Sequence, residues 1–126
     1  NLEYRNDIEF TGRLSDNDLN CFLSEATALT YIPFFEGFGI PVLEAMACGT
    51  AVITSNTTSL PEVVGDAAYA VSPNSISEIS AAMYELSTNQ QKVNELVSKG
   101  FERLKLFTWQ KSADALWQSI QKTLDK

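Results

Sequence analysis

The stretch PFFEGFGIPVLEAMACGTAVITSNTTSLP, residues 33–61, carries the most information about fold and function. An apolar run precedes it, and a glycine-rich loop then leads into a segment that begins near Pro41 and ends at Gly49. Proline is favoured in the first turn of a helix, and glycine just past its end. A second apolar run, at 51–54, follows at once. The stretch therefore predicts a strand, a loop, a helix and a second strand.

The same alternation extends in both directions along the chain. Short apolar runs that predict strands lie at 8–11, 28–33, 51–54 and 67–71. Serines followed three residues later by an acid, a spacing typical of helix starts, are Ser15 with Asp18, Ser59 with Glu62, and Ser75 with Glu78. From 76 onward the apolar residues have only helical spacing, including a last stripe with both tryptophans. We expect an α/β fold with a mostly parallel sheet, flanking helices and an all-helical end, and we expect the last stripe to be core.

Composition limits the classes of function. The 126 residues suit one domain, 1–126, and the formal charge of −7 disfavours nucleic acid as a partner. No apolar run approaches the length of a membrane span. With two cysteines, Cys21 and Cys48, and no histidine, a metal site is not expected, and we expect both thiols to be reduced and structural.

Two glutamates in the central stretch suggest a binding site. Ligands of open α/β sheets lie beyond the carboxyl ends of the strands, where the first turn of the next helix offers free N–H groups to an anion. Glu44 falls in the predicted helix and can lean back toward the loop that holds Glu36. A carboxylate accepts hydrogen bonds from sugar hydroxyls but repels phosphate. A nucleotide diphosphate sugar, with hydroxyls at both ends and phosphates between, fits this layout.

Ordinary structural roles remain open for each of these residues. Glu44 could simply favour the positive end of the helix dipole. Gly37 and Gly39 could be turn glycines, and the three neighbouring phenylalanines are more typical of core or loop packing than of a stacking platform.

The segment EGFGIPVLEAMACGTAVITSNTTSLPEVVGDAA, residues 36–68, resembles the C-terminal, donor-binding domain of retaining glycosyltransferases with the GT-B fold. It is similar to the family named for a Glu–seven residues–Glu motif, whose pattern GFGxPxxEAMACGxPV surrounds Glu36 and Glu44 here. Ala51 stands where many members have proline. The resemblance also covers residues 8–14 and the terminal FTWQKSADALW segment. For the terminal helix it implies a second role, bridging the two halves of the enzyme, in which part of the helix is exposed in this chain.

The resemblance implies a role for each matching residue. Glu36 is the implied catalytic-site residue, contacting the donor sugar, and Glu44 binds the ribose of the nucleotide. The backbone N–H groups of 37–40 (Gly37, Phe38, Gly39 and Ile40) meet the sugar and diphosphate. Arg13 and Leu14 lie near the base, although Arg13 fits a surface arginine equally well. Thr58 and Ser59 occupy positions near the phosphates. The family works without a bound metal or other cofactor.

The resemblance also implies what the chain lacks. The family's domain begins with strands that carry a lysine and an arginine for the diphosphate, and neither Arg5 nor Arg13 matches them. In the strand order 3-2-1-4-5-6, the run at 8–11 would be the third strand, parted from the fourth by missing ones. We therefore expect a partial domain, inactive alone and prone to self-association, whose acceptor-binding N-terminal domain is absent.

The sequence of residues 56–68 is similar to the corresponding segment of bacterial mannosyl-type transferases of surface-polysaccharide assembly. This resemblance implies GDP-mannose, or otherwise a UDP-linked sugar, as donor. The acceptor would be a glycan or a lipid-linked glycan. The parent protein is then expected to be cytoplasmic, peripheral at the inner membrane. Two alternatives stay open: a standalone nucleotide- or partner-binding module without turnover, and part of a GT-B nucleotide-sugar epimerase.

Overall fold

A computed structural model describes residues 3–124 of the chain. After a short 3-10 turn at Arg5–Asp7, strands and helices alternate up to β3, and helices alone follow. The elements are α1 (Asp16–Glu25), β1 (Ala28–Tyr31), α2 (Ile40–Ala47), β2 (Ala51–Ser55), α3 (Leu60–Val64), β3 (Tyr69–Val71), α4 (Ile76–Thr88), α5 (Gln90–Leu104) and α6 (Trp109–Leu124).

The strands form one parallel sheet in the order β1-β2-β3. Ala28 lies opposite Ala51, and Ile53 lies opposite Tyr69. A helix connects each strand to the next, which is the usual way to join parallel neighbours. The predicted Rossmann-like α/β class, with flanking helices and an all-helical end, is confirmed.

The central strand β2 is buried on both faces, because successive side chains alternate between two apolar clusters. Val52 packs on one face with residues of α2 and α3, while Ala51 and Ile53 pack on the other with α4 and α5. Such a doubly covered strand explains why its sequence, AVITS, is apolar without alternation.

The strand predicted at 8–11 is wrong. These residues are exposed and belong to no strand in the described part of the chain. A strand needs a hydrogen-bonded neighbour, and the sheet described here offers 8–11 none. β1 also ends earlier than predicted, at Tyr31, so Ile32 and Pro33 already belong to the following loop.

The prediction that the last helix forms core is also wrong. α6 has no buried residue, and Trp109 is 92% exposed. Amphipathic spacing predicts an apolar face but not the element that covers it. On α1 and α4 the predicted stripes are only partly buried: Leu23 and Leu86 are inside, whereas Phe22 and Met83 are exposed.

No helix formed within residues 3–124 combines the length and the apolar character needed to span a membrane.

Candidate functional site

Two loops leave the carboxyl edge of the sheet side by side. One, residues 32–39, runs from β1 to α2, and the other, residues 56–59, runs from β2 to α3. Because β1 and β2 are parallel neighbours, both loops emerge at the edge where open α/β sheets bind ligands. The β1–α2 loop contains Glu36 and the glycine-rich segment.

The Glu36 carboxylate is held within its own loop and by the strand below it. Its Oε1 accepts hydrogen bonds from the backbone N–H groups of Gly37, at 3.0 Å, and Phe38, at 3.3 Å. Its Oε2 accepts a short hydrogen bond from the Tyr31 hydroxyl. The Tyr31 bond and then the Phe38 amide lower the pKa of Glu36, while the bond to Glu36 raises the pKa of Tyr31. Glu36 is therefore an ionised, half-buried acceptor.

Two of the four amides that were expected to meet the donor thus already donate to Glu36. An amide has one hydrogen, so a phosphate that bound Gly37 or Phe38 would have to share or displace the carboxylate oxygen. Gly39 and Ile40 lie at the start of α2, where the helix dipole favours an anion.

The β2–α3 loop makes hydrogen bonds to both the N–H group and the carbonyl group of Glu36. Glu36 N–H donates to Thr58 Oγ1 at 3.2 Å, and Ser59 Oγ donates to the Glu36 carbonyl oxygen at 2.8 Å. Thr58 has a φ of +56°, an uncommon conformation for a residue other than glycine. The capping role predicted for Ser59 is wrong: its backbone is already helical and its side chain makes no cap bond, because its hydroxyl serves the neighbouring loop.

Gly39 and Gly37 play different parts in the β1–α2 loop. Gly39 is buried, has a φ of +105° and occupies the N-cap of α2. Gly37 is exposed and has open space around it. Glycine is therefore needed at 39, where the backbone turns left-handed against the core, and not on steric grounds at 37.

Glu44 lies on the exposed side of α2, facing α1. It lines an open depression of about 510 Å³ together with residues of both helices: Asn20, Cys21, Ser24, Ala47 and Cys48. Among the described residues, Glu44 and Glu36 share no hydrogen-bond partner. Within residues 3–124 the Glu44 carboxylate makes no hydrogen bond or ion pair and lies on a surface open to a ligand, whereas the Glu36 side chain and backbone are both held by hydrogen bonds.

Aromatic side chains surround the loop unevenly. Phe38 packs edge-on against Phe107, with ring centroids 5.8 Å apart, and Arg103 lies over the Phe107 ring. Phe34 and Phe35, predicted to pack in the core or the loop, are 70% and 80% exposed. Phe38 packs against a neighbouring ring as predicted, although it is 46% exposed, whereas Phe34 and Phe35 are not part of the core.

The remaining sequence-predicted residues lie elsewhere. Arg13, exposed, and Leu14, half-buried, directly precede the Ser15 N-cap of α1, and neither makes a side-chain hydrogen bond within residues 3–124. Both cysteines are free, and Cys21 is exposed rather than buried as a structural thiol would be.

Sequence reasoning missed Tyr31 as a site residue and did not predict that Thr58 and Ser59 bond to the Glu36 backbone. Tyr31 is five positions before Glu36, in a run that predicts only a buried strand. Its nearness to the end of the predicted strand, 28–33, was the available signal, because ligands collect at strand ends. The bonds from Thr58 and Ser59 to Glu36 span 22 and 23 positions, and no local pattern predicts them.

Comparison with known proteins places the chain in a family. The profile of the family described as glycosyl transferases group 1 matches residues 1–103. The O-antigen chain mannosyltransferase B of Escherichia coli is 40% identical over 82% of this chain and 27% of its own length. The MMP alpha-(1->4)-mannosyltransferase of Mycolicibacterium hassiacum is 35% identical over 84% of this chain and 27% of its own length.

The fold has a counterpart among solved structures. Sucrose-phosphate synthase from Thermosynechococcus elongatus superposes with a TM-score of 0.81 at 25% identity, covering 96% of this chain and 31% of that one. The chain thus spans about a quarter of the two mannosyltransferases it matches. With the family profile covering most of its length and a parallel sheet shared with a GT-B-like glycosyltransferase, this chain belongs to the glycosyl transferases group 1 family.

Proposed function

We propose that this chain is the donor-binding part of a retaining glycosyltransferase that moves a sugar from a nucleotide diphosphate sugar to a glycan or lipid-linked acceptor. The observation that carries the proposal is the pair of loops at the carboxyl edge of β1 and β2. They bring a constrained carboxylate, Glu36, next to the N-terminus of α2. Mannose is the proposed sugar, since the relatives described above are named mannosyltransferases.

Each site residue has a proposed part in binding the donor. Glu44, whose carboxylate has no partner among the residues that the structure describes, accepts hydrogen bonds from the ribose hydroxyls. Glu36 contacts the sugar, and the amides at the start of α2 face the diphosphate. Arg13 and Leu14 lie toward the base. Negative charge grows on the diphosphate as the sugar leaves, and the positive end of α2 stabilises that charge in the transition state.

Neither glutamate acts as a nucleophile in this proposal. Glu36 already accepts three hydrogen bonds, from Tyr31 and two amides, and this lowers its basicity. Its role is to orient the sugar so that the anomeric carbon faces the acceptor. The acceptor is bound by parts of the parent protein outside this chain, so the 126-residue chain alone is expected to be inactive.

Calorimetric titration of the parent-length protein tests the proposal, with GDP, GDP-mannose, UDP and UDP-glucose as probes. We expect one nucleotide class to bind, and Glu44→Ala to weaken its affinity by roughly tenfold to a hundredfold, as for a lost charged hydrogen bond. Glu102→Ala is the matched control, because Glu102 is an exposed helical glutamate whose one ion pair among the described residues is with Lys105. Failure of all four probes to bind, or equal affinities of the Glu44 and Glu102 variants, would refute the proposed donor site.

A further inference from the structure

Tyr31 is held rigidly at the end of β1. Its backbone carbonyl accepts a hydrogen bond from Thr54 Oγ1 at 2.8 Å, and Thr54 is fully buried in the central strand. The Tyr31 ring is half-buried and packs against the cluster beneath α2 and α3. The hydroxyl therefore projects from a fixed base toward the β1–α2 loop.

Both oxygens of the Glu36 carboxylate accept hydrogen bonds, and the donors belong to different parts of the molecule. Gly37 and Phe38 amides hold Oε1, and the Tyr31 hydroxyl holds Oε2. The two amides belong to the same loop as Glu36, whereas Tyr31 belongs to β1, so Tyr31 is the one of these three donors that ties the side chain to the sheet. A carboxylate offers about four acceptor directions, and three are in use. The three hydrogen bonds leave about one acceptor direction of the carboxylate, and a ligand hydroxyl would have to bind there.

We propose that Tyr31 is a positioning residue of the donor site: its hydroxyl fixes the Glu36 carboxylate so that the remaining acceptor direction meets a hydroxyl of the donor sugar. The inference rests on the proposed function. It adds a residue that contacts Glu36 but not the donor. The effect of Tyr31 should therefore be on binding of the sugar part of the donor and not on binding of its nucleotide part.

A purely structural tyrosine is the competing explanation, and the chain offers a matched control for it. Tyr69 is also a half-buried strand residue, and its hydroxyl donates to Glu85 at 3.0 Å. Tyr69 packs on the opposite face of the sheet from Tyr31. Tyr69→Phe therefore removes the same hydroxyl from the same kind of pair without touching the loop.

The test uses the parent-length protein and its Tyr31→Phe and Tyr69→Phe variants, titrated with GDP-mannose and with GDP. If the donor proves to be UDP-linked, UDP-glucose and UDP replace them. We expect Tyr31→Phe to weaken binding of the nucleotide sugar on the order of tenfold, the size of a lost hydrogen bond to a charged group, and to leave the nucleotide within about twofold. Tyr69→Phe should change neither affinity.

The pH profile provides a second readout that a structural role would not move. Because Tyr31 is the first cause of the lowered pKa of Glu36, its removal raises that pKa. The acid limb of nucleotide-sugar binding should then shift to higher pH in Tyr31→Phe and stay in place in Tyr69→Phe. Glu36→Gln should likewise weaken binding of the nucleotide sugar more than binding of the nucleotide. The double variant with Tyr31→Phe should bind the nucleotide sugar only slightly more weakly than Glu36→Gln alone, since both changes remove the same interaction.

The outcomes separate this inference from the proposed function. Equal losses for nucleotide sugar and nucleotide, an unmoved acid limb, or additive effects of Tyr31→Phe and Glu36→Gln would overturn the positioning role while leaving the donor site intact. Absence of nucleotide binding in the unaltered parent protein would overturn the proposed function and this inference with it.

Discussion

A side chain at Gly39 would collide with Leu60. A Cβ built on Gly39 would lie 2.6 Å from Leu60 Cδ2, and Leu60 is fully buried beneath the β2–α3 loop. The N-terminus of α2 is thus seated directly on the first residue of α3. This close contact fixes the position of the end of the β1–α2 loop relative to α3.

Gly39→Ala is therefore expected to destabilise the chain. The left-handed backbone alone costs about 1–3 kcal/mol for a residue other than glycine, and the displaced Leu60 adds an overpacking term of similar size. Urea denaturation should show a loss of at least about 2 kcal/mol. Gly37→Ala is the control, since a Cβ there meets nothing within 4 Å, and it should stay within about 0.5 kcal/mol. Similar losses in both variants would contradict the packing described for Gly39.

Asp66 should contribute a small, pH-dependent stabilisation. Its carboxylate lies 3.1 Å from Lys99 Nζ, and this pairing is the main cause of its lowered pKa. A carboxyl whose pKa is lower in the folded state stabilises the fold above its ordinary pKa of 3.8 and loses that effect as pH falls through the lowered value. Asp66→Asn should thus lower the urea midpoint slightly at neutral pH, and its difference from the unaltered chain should vanish in acid.

Salt and a control variant complete the Asp66 experiment. Because the Asp66 side chain is 81% exposed and that of Lys99 is 38% exposed, solvent ions reach the pair, and raising the ionic strength to about 1 M should also reduce the difference. Asp114→Asn is the control: it removes the same charge from a residue whose side chain, within residues 3–124, bonds to the uncharged Gln110 amide, so no ion pair is lost. A midpoint difference for Asp66→Asn that persists below the lowered pKa would exclude the ion pair as its cause.

The exposed face of α6 is expected to make the 126-residue chain self-associate. Leu116 is 64% exposed, Trp117 is 58% exposed and Ile120 is 41% exposed, and all three are large and apolar. Sedimentation velocity should show association that rises with concentration and weakens in the triple variant Leu116→Ser, Trp117→Ser, Ile120→Ser. The control triple variant Gln110→Ser, Gln118→Ser, Gln121→Ser should leave the association unchanged. A compact monomer of the unaltered chain at all concentrations would refute the prediction.

Local signals in the sequence predicted the elements well. Ser15 and Ser75 cap α1 and α4 through the amides three residues on, as their spacing indicated. Pro41 lies in the first turn of α2, and Gly49 follows its end with a φ of +76°. These features depend on hydrogen bonds and backbone preferences within a few residues, so the sequence contains everything needed to predict them.

The same signals were wrong where a neighbour decides the outcome. Ser59 has the spacing of a cap, but its hydroxyl donates to the Glu36 carbonyl instead. Residues 8–11 have the composition of a strand but no strand beside them. The apolar stripe of α6 is present, yet none of its residues is buried. Each error concerns a partner distant in sequence.

The sequence by itself determined the alternation of strands and helices, the parallel sheet, the family and the candidate glutamates. It could do so because periodicity, helix caps and motif spacing involve residues that are close together in the chain. Only the tertiary structure decided how Glu36 is held. Tyr31 comes from the end of β1 and Thr58 and Ser59 from the next loop, and they reach Glu36 only because β1 and β2 lie in register. The hydrogen bonds that orient the candidate site thus depend on the pairing of two strands, which no single segment of the chain specifies.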